Sequence, residues 1–176
     1  MFVAHDTITL HAPPRLVADV LARLDLLPRW SESVQLDGDP VELTGDAHDG
    51  SAAHPTGGWV GGIRYHLPGD GAPHLAFVLR IAPAEPVGPD ASSFVVRYTG
   101  TGDAATGTVI FSVDPAPARG PSGLDGSAST LGIHVELEAA PTAAGGIGRA
   151  FYRSSVQRAT EALACLRDLM EDGQLP

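Results

Sequence analysis

The chain contains no lysine; all eleven basic residues are arginine, set against 21 acidic ones for a formal charge of −10. The arginines are scattered. Nucleic-acid binding needs clustered cations that displace counterions from phosphates, so no nucleic-acid partner is expected. Adhesion to an anionic membrane is disfavoured on the same ground. Cysteine is almost missing as well. Cys165 stands alone, which excludes an intrachain disulfide and a cysteine-based metal site. No apolar run approaches the roughly 18 residues of a membrane span. The start, MFVAHDTITL, lacks the basic region and long apolar stretch of a signal peptide. No membrane insertion and a cytoplasmic location are the expectations.

What is abundant is small or rigid: 21 Gly and 15 Pro, against only 18% charged residues. Long loops follow from that composition. The 176 residues, 43% of them hydrophobic, suit one domain spanning 1–176, able to bury about 70% of its unfolded surface.

Residues 2–11 alternate, with Phe2, Ala4, Ile8 and Leu10 on one face, and read as a strand. The segment APPRLVADVLARLDLLP then changes period. Leu16, Val17, Val20, Leu21, Leu24 and Leu27 form one helical stripe, which Pro28 should stop. Asp19 lies four residues before Arg23, a favourable surface pair on such a helix. From there to residue 138 the pattern is β, with strands expected at 34–43, 59–67, 74–81, 93–99, 107–114 and 130–138. Leu75, Phe77, Leu79 and Ile81, or Val109, Phe111 and Val113, alternate with polar positions, as in an antiparallel sheet with one wet face. Segments 44–58 and 115–129 read as long, mobile loops. Tyr152, Val156, Ala159, Leu163, Leu166 and Met170 then recur at helical spacing, and Gly173 ends that helix. Its apolar stripe needs an apolar partner, and the sheet is the one large candidate. An α+β architecture follows, a curved antiparallel sheet of about seven strands wrapped around a long C-terminal helix.

In this order the chain resembles the SRPBCC superfamily of START-like and birch-pollen-allergen-like helix-grip proteins, in particular its bacterial polyketide cyclase/dehydrase and lipid-transport branch. The resemblance is carried by ITLHAPPRLVADVLARLDLLPRWSESV (8–34), GWVGGIRYHLPGDG (58–71), GTVIFSV (107–113) and ALACLRDLME (162–171). It implies a pocket for an apolar or amphipathic molecule between sheet and helix. It does not imply one chemistry, since carriers, cyclases, dehydratases and interaction modules share the fold.

Candidate ligand contacts are therefore the aromatics on inward faces: Trp59, Tyr65, Phe77, Tyr98, Phe111 and Tyr152. Trp30, directly behind the helix, reads as a packing anchor. Arg64, His66, Arg97, His5 and His134 fall on outward positions, with Arg97 within reach of a cross-strand acid such as Glu136. Asp46, His48, Asp49 and His54 read as a solvated loop, so no metal site is expected. No nucleophile constellation occurs, since there is no G-x-S-x-G elbow, and no cofactor is expected, since GGWVGG lacks the ending of a phosphate loop. The leading expectation is binding of a small hydrophobic ligand such as a lipid, polyketide or isoprenoid. The alternatives are a polyketide cyclase/aromatase or dehydratase and a protein-interaction module with a filled core. Association as a homodimer stays open.

Overall fold

The computed structural model describes residues 2–43, 57–67, 74–103, 105–117, 124–139 and 146–175, and within these the side chains of 2, 124–126, 139 and 146–156 are excluded. Among the described residues eight strands form one antiparallel sheet: β1 (Phe2–Leu10), β2 (Val34–Glu42), β3 (Trp59–His66), β4 (His74–Ile81), β5 (Glu85–Val87), β6 (Ser93–Thr101), β7 (Ala105–Pro117) and β8 (Leu124–Ala139). Seven follow one path, β1-β8-β7-β6-β4-β3-β2, and the short β5 pairs with β6 alone. The fold is therefore the expected α+β helix grip. The sequence pattern misses β5, whose three residues are all exposed and show no alternation.

Between β1 and β2 the chain makes α1 (Pro14–Leu21), a 3-10 turn (Leu24–Leu26) and α2 (Leu27–Trp30). This corrects the expectation of one continuous helix ended by Pro28. A proline ring clashes with the carbonyl four residues earlier and offers no N–H, so the helix cannot run through position 28. It stops before Arg23, which is extended, and Pro28 opens the new turn of α2. The break also re-pairs the charges. Asp19 meets Arg15 at 3.0 Å, and Arg23 meets Asp25 at 2.6 Å. That guanidinium holds the Asp25 carboxyl below its usual range. Leu16 turns outward at 37% exposure, and Pro14, Val17, Ala18, Val20 and Leu21 form the buried face.

The segment 115–129 is mostly not a loop. β7 and β8 continue as a pair to Pro117 and Leu124, with a register shift between Pro115 and Ala116. Past Val113 β7 has no register partner on β6, so Pro115 and Pro117 remove no ladder donor on that side. Of the segment 44–58 only Gly57 and Gly58 are described, and residues 68–73 lie outside the described residues. Gly58 has φ +102°, and a Cβ there would run into the Ile81 carbonyl, so only glycine fits where the chain enters β3.

The long helix α3 (Gly146–Glu171) lies on the inner sheet face. Leu163, Leu166 and Met170 are buried in the same apolar core as Leu10 and Leu131, while Gln157, Glu161 and Asp168 face out. Gly173, at φ +66°, ends the helix as its spacing predicts, and the N–H of Gln174 bonds back to the Leu169 carbonyl. α2 seats on this end, where Arg29 Nη2 donates to the Gln174 carbonyl at 2.7 Å.

Candidate functional site: an apolar cavity under the C-terminal helix

A cavity of about 170 Å³ lies between the inner sheet face and α3. Its floor is Ile63, Tyr65, Phe77, Leu79, Tyr98, Val109, Phe111, Ile133, Val135 and Leu137, and its far walls are Leu27, Trp30, Ser31, Val34 and the α3 residues Arg158, Ala159, Ala162 and Leu163. The space has a cause in the sequence. Gly100 and Gly107 face one another across β6 and β7 and both line the cavity, while α3 presents Ala159 and Ala162 on the other side. Small residues oppose small residues, so the layers do not interdigitate there.

Four of the six expected contacts meet at this cavity: Tyr65, Phe77, Tyr98 and Phe111. Trp59 does not. It packs against the core near the 3-10 turn, with the Arg23 guanidinium 5.7 Å from its ring centroid. Its strand direction is inward, but the connection between α1 and α2 covers that end of the sheet. The side chain of Tyr152 lies outside the described residues. Phe94, also inward, sits in the core with Arg15 over its ring at 5.4 Å and takes no part in the lining.

The polar atoms divide sharply. Tyr98 is 4% exposed and its hydroxyl donates to the Leu21 carbonyl at 2.5 Å, tying β6 to the end of α1. Burial pushes its pKa far up, so it is neither a base nor a ready acid. Tyr98→Phe is expected to cost about 1–3 kcal/mol, because the buried Leu21 carbonyl loses its partner. Equilibrium urea unfolding reads this directly; an unchanged midpoint would show the bond to be dispensable.

Trp30 behaves in the opposite way. The ring is 3% exposed and stands edge-on to Phe111 with centroids 6.3 Å apart, so it is the packing anchor expected. It also lines the cavity, and its Nε1–H is buried without an acceptor among the described residues. The packing signal was visible in the sequence; the orphaned donor was not, since it depends on what the fold leaves out of reach.

Arg64, His66 and His134 are turned away from the cavity. Arg64 is outward, bonded to Asp37 at 2.7 Å. His66 also faces out, edge to face with His74 at 4.3 Å. Glu136 bonds His134 at 2.8 Å in place of the expected Arg97, whose register neighbour on β7 is Ile110. Asp6 is an inward acid that the alternation skipped over. It lies opposite Ile133 on the apolar side, yet it accepts from Thr160 Oγ1 at 2.7 Å and does not reach the cavity. Cys165 is half-buried on α3, and burial pushes its thiol up, as expected of an inert thiol. Among the described residues no group of three or more His, Cys, Asp or Glu side chains is gathered for a metal. The loop residues Asp46, His48, Asp49 and His54 lie outside the described residues. Within the described residues, no helix is long and apolar enough to cross a membrane.

No protein-family model and no curated protein sequence matches the chain. Solved structures do match in fold. A START superfamily protein from Mycobacterium smegmatis is similar at a TM-score of 0.57 and 11% identity, over 96% of this chain and 98% of that one. The lipid transfer and protein localization domain of human StarD13 gives a TM-score of 0.56 at 14% identity, covering 94% and 75%. The Zhui aromatase/cyclase from Streptomyces sp. R1128 gives 0.52 at 16% identity, covering 97% and 93%. The chain thus has the START-like helix-grip fold of the SRPBCC type.

Proposed function

We propose that this protein binds a small hydrophobic or amphipathic molecule, of lipid, polyketide or isoprenoid type, in the cavity between sheet and α3. It does so as one domain, 1–176, in the cytoplasm. The observation that carries this is the pairing of an apolar cavity with a buried donor that has no acceptor among the described residues, the Nε1–H of Trp30. A buried N–H left without an acceptor costs about 1–3 kcal/mol. A ligand bearing an acceptor oxygen would remove that penalty, so the preferred ligand is an apolar body with a carbonyl, ether or hydroxyl group. An engineered apolar cavity of about 150 Å³ holds one benzene. A cavity of about 170 Å³ therefore suits one ring or a short chain segment. The START superfamily protein, the StarD13 lipid transfer domain and the aromatase/cyclase lend this reading support through their shared fold.

The cyclase or dehydratase alternative needs an acid or base facing the ligand. Arg64 and His66 point outward and Tyr98 is tied to the Leu21 carbonyl, which favours binding over catalysis. A filled-core interaction module is disfavoured by the cavity itself. Protein-detected NMR across short-chain lipids, aromatic ketones and isoprenoid alcohols tests the proposal. Saturable shifts are expected at Tyr65, Phe77, Phe111 and Trp30, and their absence with every class would contradict it.

A further inference from the structure

The sheet face turned away from α3 carries a different arrangement. His5 on β1 and His134 on β8 are register partners across the two strands. Their Nδ1 atoms are 2.9 Å apart, with ring centroids at 4.4 Å and planes tilted by 48°. On its far side, His134 Nε2 lies 2.8 Å from Glu136 Oε1. A carboxylate accepts, so Nε2 carries the hydrogen and the Nδ1 lone pair is left facing His5. A carboxylate behind an imidazole is the arrangement that fixes the tautomer and raises the basicity of metal-ligating histidines.

The spacing is informative. Two nitrogens bound cis to one ion, each at about 2.05 Å and about 90° apart, are separated by about 2.9 Å; a tetrahedral angle spreads them to about 3.3 Å. A hydrogen bond between the rings gives the same 2.9 Å, so the pair as it stands is compatible with octahedral or square-planar ligation. Access is open, since His5 is exposed and the His134 side chain is 29% exposed. The register neighbour of His134 on β7 is the apolar Ile110, and Arg97 stands one strand further away. Among the described residues no cation is thereby set between the rings and solvent.

We propose that His5 and His134 form a two-histidine site for a divalent transition metal of the Ni²⁺ or Cu²⁺ type, completed by water, with Glu136 positioning His134. The ion takes the place of the hydrogen between the rings, and His5 adopts the tautomer protonated at Nε2. Two nitrogens without a third protein ligand select the ions that bind imidazole most strongly in the first-row series. Bound metal ties the edge strand β1 to β8. The protein supplies its own control in His66 and His74, which are also register partners with centroids at 4.3 Å. Among the described residues neither of those rings has a carboxylate behind it.

The test uses the full chain with NiCl₂ or CuCl₂ alone, and each variant is first checked for native circular dichroism. Wild type is expected to bind one ion saturably, with a Tm increase of about 3–8 °C. Bound Cu²⁺ should show hyperfine splitting from two nitrogens. His5→Ala and His134→Ala should abolish both signals. Glu136→Gln should weaken binding about 10-fold, and His66→Ala should change nothing. If His5→Ala does not fold, His5→Gln replaces it. The proposal is overturned if wild type gives no saturable shift, if the two-nitrogen signal survives loss of His5 or His134, or if His66→Ala removes it. Because this site is on the opposite face from the cavity, its outcome is independent of ligand binding there.

Discussion

Trp30→Ala is expected to destabilise the protein by about 3–5 kcal/mol, the range for deleting a buried aromatic. The ring is 3% exposed, holds α2 against the core and meets Phe111 edge-on. Such a loss alone would not separate packing from ligand recognition. Trp30→Phe does, because it keeps an aromatic in the same position and deletes only the N–H and part of the area. Its stability cost should be about 1–2 kcal/mol. Its effect on binding should depend on the ligand: affinity for acetophenone falls about 3–10-fold, the worth of one hydrogen bond. Affinity for the hydrocarbon isostere α-methylstyrene should stay within about 2-fold. Calorimetric titration of both compounds reads the difference. Equal losses for the two would assign Trp30 to packing alone.

The facing glycines give the second large effect, with opposite signs at two register partners. A Cβ on Gly100 would meet nothing closer than Leu79 Cδ1 at 3.8 Å and Phe77 Cδ1 at 4.0 Å. Gly100→Val therefore fits the backbone, and its methyl groups enter the cavity. Valine is also the better strand residue, so stability should hold or rise by up to about 1 kcal/mol. Binding should fall more than about 10-fold as the space is filled. A Cβ on Gly107, in contrast, overlaps Leu137 Cδ2 and lies 2.9 Å from the Glu136 carbonyl oxygen. Gly107→Ala should cost about 1–3 kcal/mol through overpacking against backbone that cannot move aside. Thermal unfolding and ligand titration of the two variants side by side check both. A Gly100→Val protein that binds as wild type would show that the cavity is not the binding site.

The legibility of this molecule in its sequence follows a physical line. Strands with period two in apolar residues, such as His74–Ile81 and Ser93–Thr101, were readable because one face is buried and the other wet. The C-terminal stripe through Leu163, Leu166 and Met170 was readable for the same reason. Where alternation does not decide, the pattern misled. Pro115 and Pro117 spoke for a loop, although a strand with a partner on one side only tolerates them. Pro28 spoke for a helix end when it begins the next turn.

At the site, sequence placed Tyr65, Phe77, Tyr98 and Phe111 on the inward face but could not divide them by role. Tyr98 spends its hydroxyl on Leu21, a partner 77 positions away. Trp59 points inward and is covered by the 3-10 turn and Arg23. That the Trp30 donor has no partner among the described residues is a property of the assembled core. Local sequence carries faces; it does not carry which polar atom the fold leaves alone.

The two tryptophans allow the most direct test. Trp30 lines the cavity and Trp59 does not, so a nitrogen-15 spectrum shows one indole N–H from each, assigned with Trp30→Phe. Titration with acetophenone should move the Trp30 indole resonance downfield, as expected for a new N–H···O bond, and leave that of Trp59 in place. α-Methylstyrene should shift it less and without the downfield sign. An indole resonance of Trp30 that stays fixed while acetophenone binds would contradict the account, as would acetophenone failing to bind at all.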